Sequence, residues 1–213
     1  MKINDNFGLY AVLTNPRYGY EHMTGLLVEH HIPFVQLRIK DAPESAVETT
    51  ARAMKKITQG TSTKLIINDY PHIAAEIGAD GVHIGQDDLS FKKTRKIVGP
   101  DALIGISTHS PEQTRNACAL KPDYIGIGPV YATPTKKNPD PVIGIDGMKA
   151  MLEIATVPAV VIGGIDLTNL SEVLKSGARN FCMVRQLMNA EKPGEVLGII
   201  RELLISNSPG KSI

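Results

Sequence analysis

Residues 64–90, KLIINDYPHIAAEIGADGVHIGQDDLS, hold two short apolar runs, Leu65-Ile66-Ile67 and Val82-His83-Ile84. Each run gives way to polar residues with carboxylates, Asn68-Asp69 after the first and Gln86-Asp87-Asp88 after the second. Buried strands of a parallel sheet read as continuous β-branched runs, and the intervening residues 71–78 are enough for a crossover helix. The stretch therefore predicts a βαβ unit. Parallel pairing brings the C-terminal ends of both strands to one edge, so Asp69 and Asp88 are expected to face one another across neighbouring loops. Two carboxylates in that position suit a hard divalent cation, most naturally Mg²⁺ shared with a phosphorylated ligand.

Working outward, the same alternation recurs on both sides. Residues 8–14 read as a first strand closed by the Asn15-Pro16 turn, with a helix over about 20–30. In 34–40 the residues alternate: Val35, Leu37 and Ile39 share one face, and Gln36, Arg38 and Lys40 share the other. Pro43 and Glu44 open a helix with Val47, Ala51, Met54 and Ile57 at helical spacing, ended by Gly60. Beyond the central unit, Ser90 is placed to cap a helix over 91–98. A strand over 103–107 precedes the capping-box sequence Ser110-Pro111-Glu112-Gln113 and a helix to about Leu120. Residues 124–130 and 159–165 read as strands six and seven, separated by a long proline-containing loop over 131–144 and a helix near 148–154. A helix over 169–176, a strand over 181–185 and a helix over 196–204 complete the series, and 207–213 read as a disordered tail.

Eight strands alternating with eight helical segments predict a (β/α)8 TIM barrel occupying 1–206 as one catalytic domain. The rival, a doubly wound open sheet, has no need of eight strands or of polar residues at nearly every strand end. A chain of 213 residues can bury roughly 70% of its unfolded surface in such a core. The net charge of +1 and the lack of basic blocks argue against nucleic acid or an anionic membrane as partner. Cys118 and Cys182 lack metal-ligand spacing and read as reduced packing residues. The N-terminus lacks the apolar core of a signal peptide, so the protein is expected to be soluble and cytoplasmic, with small molecules as its partners and homo-oligomerisation left open.

In a barrel the chemistry lies at the C-terminal mouth. The strand ends there carry Gln36, Arg38, Lys40, Asn68, Asp69, Asp88, Ser107, His109, Thr133, Thr135, Lys136, Gly163, Gly164 and Arg185. Mg²⁺ with Arg38, Lys40 and Lys136 sums to about +5, close to the roughly −5 of a diphosphate plus a phosphate monoester. Gly163-Gly164, with the amides after the eighth strand, suit the phosphate cup this fold commonly builds after strands seven and eight. The bland alternatives are solvated edge charges, loop-capping carboxylates and a tight glycine turn. His83, mid-strand, reads as a packed histidine, and His109 as either a base or a loop hydrogen-bonder.

Taken together, Gln36-x-Arg38-x-Lys40, Asn68-Asp69, Gly81-x-His83-x-Gly85-Gln86-Asp87-Asp88, Ser107-x-His109, Gly126-x-Gly128-Pro129-Val130-x-x-Thr133-x-Thr135-Lys136 and Ile162-Gly163-Gly164-Ile165 resemble the thiamine phosphate synthase family. The resemblance runs from Leu9 to about Met188. It implies an enzyme that joins a hydroxymethylpyrimidine diphosphate to a thiazole phosphate and releases pyrophosphate. It also implies that Gln36, Leu37, Arg38, Ile39, Lys40, Asn68, Ser107 and Lys136 bind the pyrimidine diphosphate, with Arg38, Lys40, Lys136 and Ser107 catalytic. Asp69 and Asp88 would hold Mg²⁺. Thr133, Pro134, Thr135, Gly164, Val184 and Arg185 would hold the thiazole phosphate. One departure stands out: Arg185 occupies a position where the family usually has a small residue, most often serine. Two alternatives remain open, a thiazole tautomerase-like isomerase centred on His109 and a non-catalytic, phosphometabolite-binding regulator.

Overall fold

A computed structural model describes residues 3, 5–135 and 140–207 of the chain. Strands β1 (Gly8–Leu13), β2 (Phe34–Leu37), β3 (Lys64–Asn68), β4 (Gly81–Ile84), β5 (Leu103–Thr108), β6 (Tyr124–Ile127), β7 (Ala159–Val161) and β8 (Asn180–Met183) follow one another around a closed barrel. Each pairs in parallel with its neighbour in sequence, and β8 returns to β1 through Gly8↔Asn180 and Tyr10↔Cys182. The helices are α1 (Tyr20–Glu29), α2 (Glu44–Thr58), α3 (Pro71–Glu76), α4 (Phe91–Val98), α5 (Pro111–Ala119), α6 (Gly144–Ile154), α7 (Leu170–Lys175), α8 (Arg185–Asn189) and α9 (Pro193–Ser206). The fold is a (β/α)8 barrel, as the strand count requires. Among the described residues no helix is long and apolar enough to cross a membrane.

Side-chain parity divides the apolar residues into two cores. On β1, Leu9, Ala11 and Leu13 point outward to the helices, while Tyr10 and Val12 point into the lumen. The outer core gathers Val35, Leu37, Leu65 and Ile67 with Met23, Leu27, Val47 and Met54 of α1 and α2. The inner core joins Tyr10, Val12, Phe34, Ile66, Leu103, Tyr124, Val160 and Cys182. The lumen is thus packed below and polar above, which is how a barrel presents a site at one end only. Asn180 fastens the seam at the opposite end. Its Oδ1 accepts from the Phe7 and Gly8 amides at 2.6 and 3.1 Å, and its Nδ2 donates to the Asp5 and Ala159 carbonyls.

Several local expectations are corrected. β2 ends at Leu37, although the Arg38 amide still donates to the Leu13 carbonyl at 3.0 Å and extends the ladder by one bond. β7 ends at Val161, because Gly163 and Gly164 turn with φ of 105° and 61° and cannot continue a strand. Ser90 stands before α4 without a side-chain cap bond. Ser110 does accept from the Gln113 amide at 3.2 Å, but Gln113 Oε1 takes the His109 amide, one residue earlier than a capping box would have it. α6 begins at Gly144, a turn before the expected start, and α8 is a helix the sequence reading did not contain. At the end of the chain the Asn207 amide and side chain both donate to the Leu203 carbonyl and close α9; the rest of the expected tail, 208–213, lies outside the described residues.

Gly105 is a position where the lumen has little room. A Cβ there would sit 2.1 Å from Cζ of Tyr124, whose side chain is fully buried. Gly105→Ala is therefore expected to destabilise the protein by about 1–3 kcal/mol through overpacking, read as a lower midpoint in thermal or urea unfolding. An unchanged midpoint would show that the tyrosine ring can move aside.

Candidate active site

A cavity of about 470 Å³ opens at the C-terminal end of the barrel, within the range usual for small-molecule sites. Its wall includes Gln36 from β2 and Arg38 just after it, Asn68 from β3, His83 from β4, Ser107 from β5 and His109 after it, and Thr133 and Thr135 from the loop after β6. Gly163, Gly164, Asp166, Val184, Arg185, Gln186 and Asn189 complete the side beneath the loops that follow β7 and β8.

The floor is a hydrogen-bonded set of lumen side chains. Gln36, buried on β2, donates from Nε2 to Tyr10 Oη at 3.1 Å, and Tyr10 and Tyr124 hydroxyls lie 2.7 Å apart. His83 spans Tyr124 Oη at 3.0 Å through Nδ1 and Ser107 Oγ at 2.9 Å through Nε2. Burial pushes both phenols well above their usual range, so each keeps its proton. Cys182 is pushed up to about 12 by burial, which leaves an inert thiol beside the floor.

The carboxylate pair sits at the rim, immediately past the cavity-lining Asn68. Asp69 adopts φ 66°, a left-handed conformation that Asp tolerates better than most residues, and its amide donates to the His83 carbonyl at 2.9 Å. Its carboxyl pairs with Lys40 and lies beside Asp88. Burial raises the Asp69 pKa, Lys40 opposes that shift, and Asp88 adds to it. Asp88 itself accepts from the Gly85 amide at 2.6 Å, so it both closes its own loop and faces Asp69. Among the described residues no group of three or more His, Cys, Asp or Glu gathers at one point.

Across the mouth, Gly163 and Gly164 bring backbone close to the loop after β6. A Cβ on Gly163 would lie 2.4 Å from Pro129 Cβ, and one on Gly164 would lie 2.6 Å from the Ala132 carbonyl oxygen. Asn169 holds this turn by accepting from the Asp166 amide and donating to the Gly164 carbonyl, both at 2.9 Å. Gln186 ties it to α8 by accepting from the Leu167 amide at 2.6 Å. Hydrogen bonds from Thr168 hold the Asp166 carboxyl below its usual range, and the attraction of Arg185 contributes. Thr133 and Thr135 hydroxyls approach to 3.1 Å. His109 serves its loops: Nδ1 meets the Gly128 carbonyl at 2.5 Å and Nε2 lies 3.3 Å from Asp140.

The expected mouth residues are thus brought together, with distinctions. Leu37 and Ile39 pack into the outer core and do not line the cavity. Lys40, Asp69 and Asp88 stand on the rim rather than in the wall, Pro134 is exposed on its loop, and Lys136 lies outside the described residues. His83 is packed, as expected, yet it also lines the cavity. Tyr10, Tyr124, Asp166, Gln186 and Asn189 were not foreseen. Parity would have exposed the tyrosines: with Gln36 in the lumen, the register Val12↔Gln36 turns Val12 inward and therefore Tyr10 too.

A closed parallel barrel with polar side chains converging on a cavity at its C-terminal mouth defines a (β/α)8-barrel enzyme. Residues 10–187 match the family described as thiamine monophosphate synthase. A thiamine-phosphate synthase of Gloeobacter violaceus is 42% identical over 182 residues, covering 84% of this chain but only 53% of that longer protein. The thiamine-phosphate synthase of Vibrio campbellii is 38% identical over 178 residues, covering 82% of this chain and 87% of its own length. The solved thiamine phosphate pyrophosphorylase from Pyrococcus furiosus superposes with a TM-score of 0.86 at 26% identity, covering 95% of this chain and 98% of that one. The chain belongs to the thiamine monophosphate synthase family.

Proposed function

We propose that this protein condenses 4-amino-2-methyl-5-(diphosphooxymethyl)pyrimidine with 4-methyl-5-(2-phosphoethyl)thiazole to give thiamine phosphate and pyrophosphate. Residues 1–206 act as one catalytic domain, in the cytoplasm. The observation that carries the reading is Arg38 in the cavity wall with Lys40 and the Asp69/Asp88 pair on the rim, across the mouth from the Gly163-Gly164 turn. One side suits a metal-bound diphosphate and the other a phosphate monoester.

The reaction breaks the bond between the pyrimidine's methylene carbon and the diphosphate oxygen, and the diphosphate leaves with the electron pair. The resulting cation is shared by the electron-rich aminopyrimidine ring, and the thiazole nitrogen donates its lone pair to form the new C–N bond. Arg38 and Lys40, with Lys136, stabilise the negative charge that grows on the departing group. Ser107 donates to the same group, and Gln36 and Asn68 hold the pyrimidine ring. Thr133, Thr135, Gly164 and the Val184-Arg185 backbone hold the thiazole phosphate. The site is not asked for a nucleophile or a base, and His109 is occupied by its loop contacts.

The carboxylate pair fits Mg²⁺. Burial and Asp88 push the Asp69 carboxyl toward its protonated form, which is the condition a hard cation relieves, and both donors are oxygens. Bound there, Mg²⁺ supplies charge neutralisation for the diphosphate. A tautomerase-like isomerase would need no such pair, and a binding-only regulator would have no use for it together with Arg38 and Lys40. Mixing both substrates with Mg²⁺ and measuring pyrophosphate separates these readings: release requiring both substrates supports the synthase, and isomerised thiazole phosphate without pyrophosphate supports the tautomerase.

Arg185 is a bystander with respect to the phosphate. Its side chain is exposed and lies in the field of Asp166, while backbone amides around Val184 and Gly164 suffice to bind the anion. Arg185→Ser is expected to keep kcat within a few-fold and to raise KM for the thiazole phosphate by less than about tenfold. A rise well beyond tenfold, confined to that substrate, would make the guanidinium a ligand.

A further inference from the structure

A line of hydrogen bonds crosses the lumen beneath the cavity, from Gln36 through Tyr10, Tyr124 and His83 to Ser107. Its two ends are residues the proposed reaction uses, whereas its middle has no part in that mechanism. One direction is consistent along the whole line. With Gln36 Nε2 donating to Tyr10 Oη, Tyr10 can pass its own proton to Tyr124 Oη, 2.7 Å away. In that direction Tyr124 donates to His83 Nδ1 at 3.0 Å, and the imidazole proton sits on Nε2, facing Ser107 Oγ at 2.9 Å. Ser107 would then have its own proton to offer a ligand, and Gln36 its carbonyl.

We propose that Tyr10, Tyr124 and His83 form a relay that sets the polarity of both substrate-facing ends, making Gln36 an acceptor and Ser107 a donor. The inference rests on the proposed reaction in one respect, the identity of the ligand. A pyrimidine with an exocyclic amine needs an acceptor at Gln36, and a diphosphate oxygen needs a donor at Ser107. Reversal would present the wrong group at both ends, because the relay couples them: an amide turned at Gln36 reverses each hydroxyl in turn and leaves Ser107 donating to His83. The lumen is built to hold the line still. Tyr10 and Tyr124 are 3% and 1% exposed, their rings pack together at 5.5 Å, and Gly105 omits the side chain that would displace Tyr124. Burial keeps both phenols protonated, as a relay of neutral groups requires.

The test begins with the protein alone. In a long-range ¹H–¹⁵N spectrum of histidine-labelled protein, assigned with His83→Asn, His83 should be the Nε2–H tautomer, with Nδ1 unprotonated. In Tyr124→Phe, which retains the ring, His83 should lose that single tautomer, and kcat should fall about tenfold, since Ser107 is loosened rather than removed. Tyr10→Phe cuts the line between its ends, so His83 should again lose its single tautomer, and KM for the pyrimidine diphosphate should rise several-fold, because Gln36 loses the bond that orients its amide. KM for the thiazole phosphate should stay constant in both. A wild-type His83 protonated on Nδ1 overturns the relay, as does a Tyr124→Phe protein with unchanged tautomer and kcat. Should Tyr124→Phe not fold, the wild-type tautomer and Tyr10→Phe decide. Failure of the wild type to release pyrophosphate would refute the reaction and not the relay, which the tautomer judges independently.

Discussion

Asp69→Ala and Asp88→Ala are each expected to lower kcat by on the order of 10²-fold or more while the barrel stays folded, because each removes one of the two carboxylates proposed to hold the metal that neutralises the leaving diphosphate. Asp88 is exposed and Asp69 stands on the rim, so neither change opens the core. The local losses are the Asp88 bond to the Gly85 amide and the Asp69 pairing with Lys40, each on the scale of about 1 kcal/mol for such surface interactions. Wild-type turnover should stop with a chelator and return with Mg²⁺. Steady-state kinetics alongside thermal unfolding separates the two effects. Full turnover of either variant in the presence of chelator would dismiss the metal assignment.

Arg38→Ala carries the second large effect. Arg38 lines the cavity where its guanidinium can meet a diphosphate, and its loss should cost on the order of 10²-fold or more in kcat, the scale of a lost transition-state charge donor. Lys40→Ala and Lys136→Ala should act in the same direction. Calorimetric binding of thiazole phosphate alone should change little in Arg38→Ala, because the glycine turn proposed to receive it lies across the mouth. Equal collapse of that affinity would assign Arg38 to the other substrate.

The fold was legible where the sequence repeats a simple physical rule. Apolar runs such as Leu65-Ile66-Ile67 and Val82-His83-Ile84 end in polar residues, and a parallel barrel converts that order into buried strands with a polar mouth. The alternation in 34–40 separated Gln36 and Arg38 from Val35 and Leu37 correctly, since lumen and outer core follow the same period of two. What escaped was set by three-dimensional closure. Parity places Tyr10 and Tyr124 in the lumen, but nothing in the local sequence shows that their hydroxyls meet across it, in the space left at Gly105. The five-residue α8 is too short to show a helical period, and its Gln186 matters through a contact with Leu167 that no local pattern announces. Asn169 reads only as the start of a helix and Asp166 carries no signal, and their role in shaping the glycine corner follows from bonds to backbone.

The central claim is that one cavity joins two phosphorylated heterocycles at the expense of a diphosphate. It is tested most directly by incubating the wild-type protein with both substrates and Mg²⁺ and quantifying product by mass spectrometry together with released pyrophosphate. Thiamine phosphate and pyrophosphate should appear in equal amounts, only when both substrates are present. Pyrophosphate released without thiamine phosphate, or no consumption of either substrate, would contradict it.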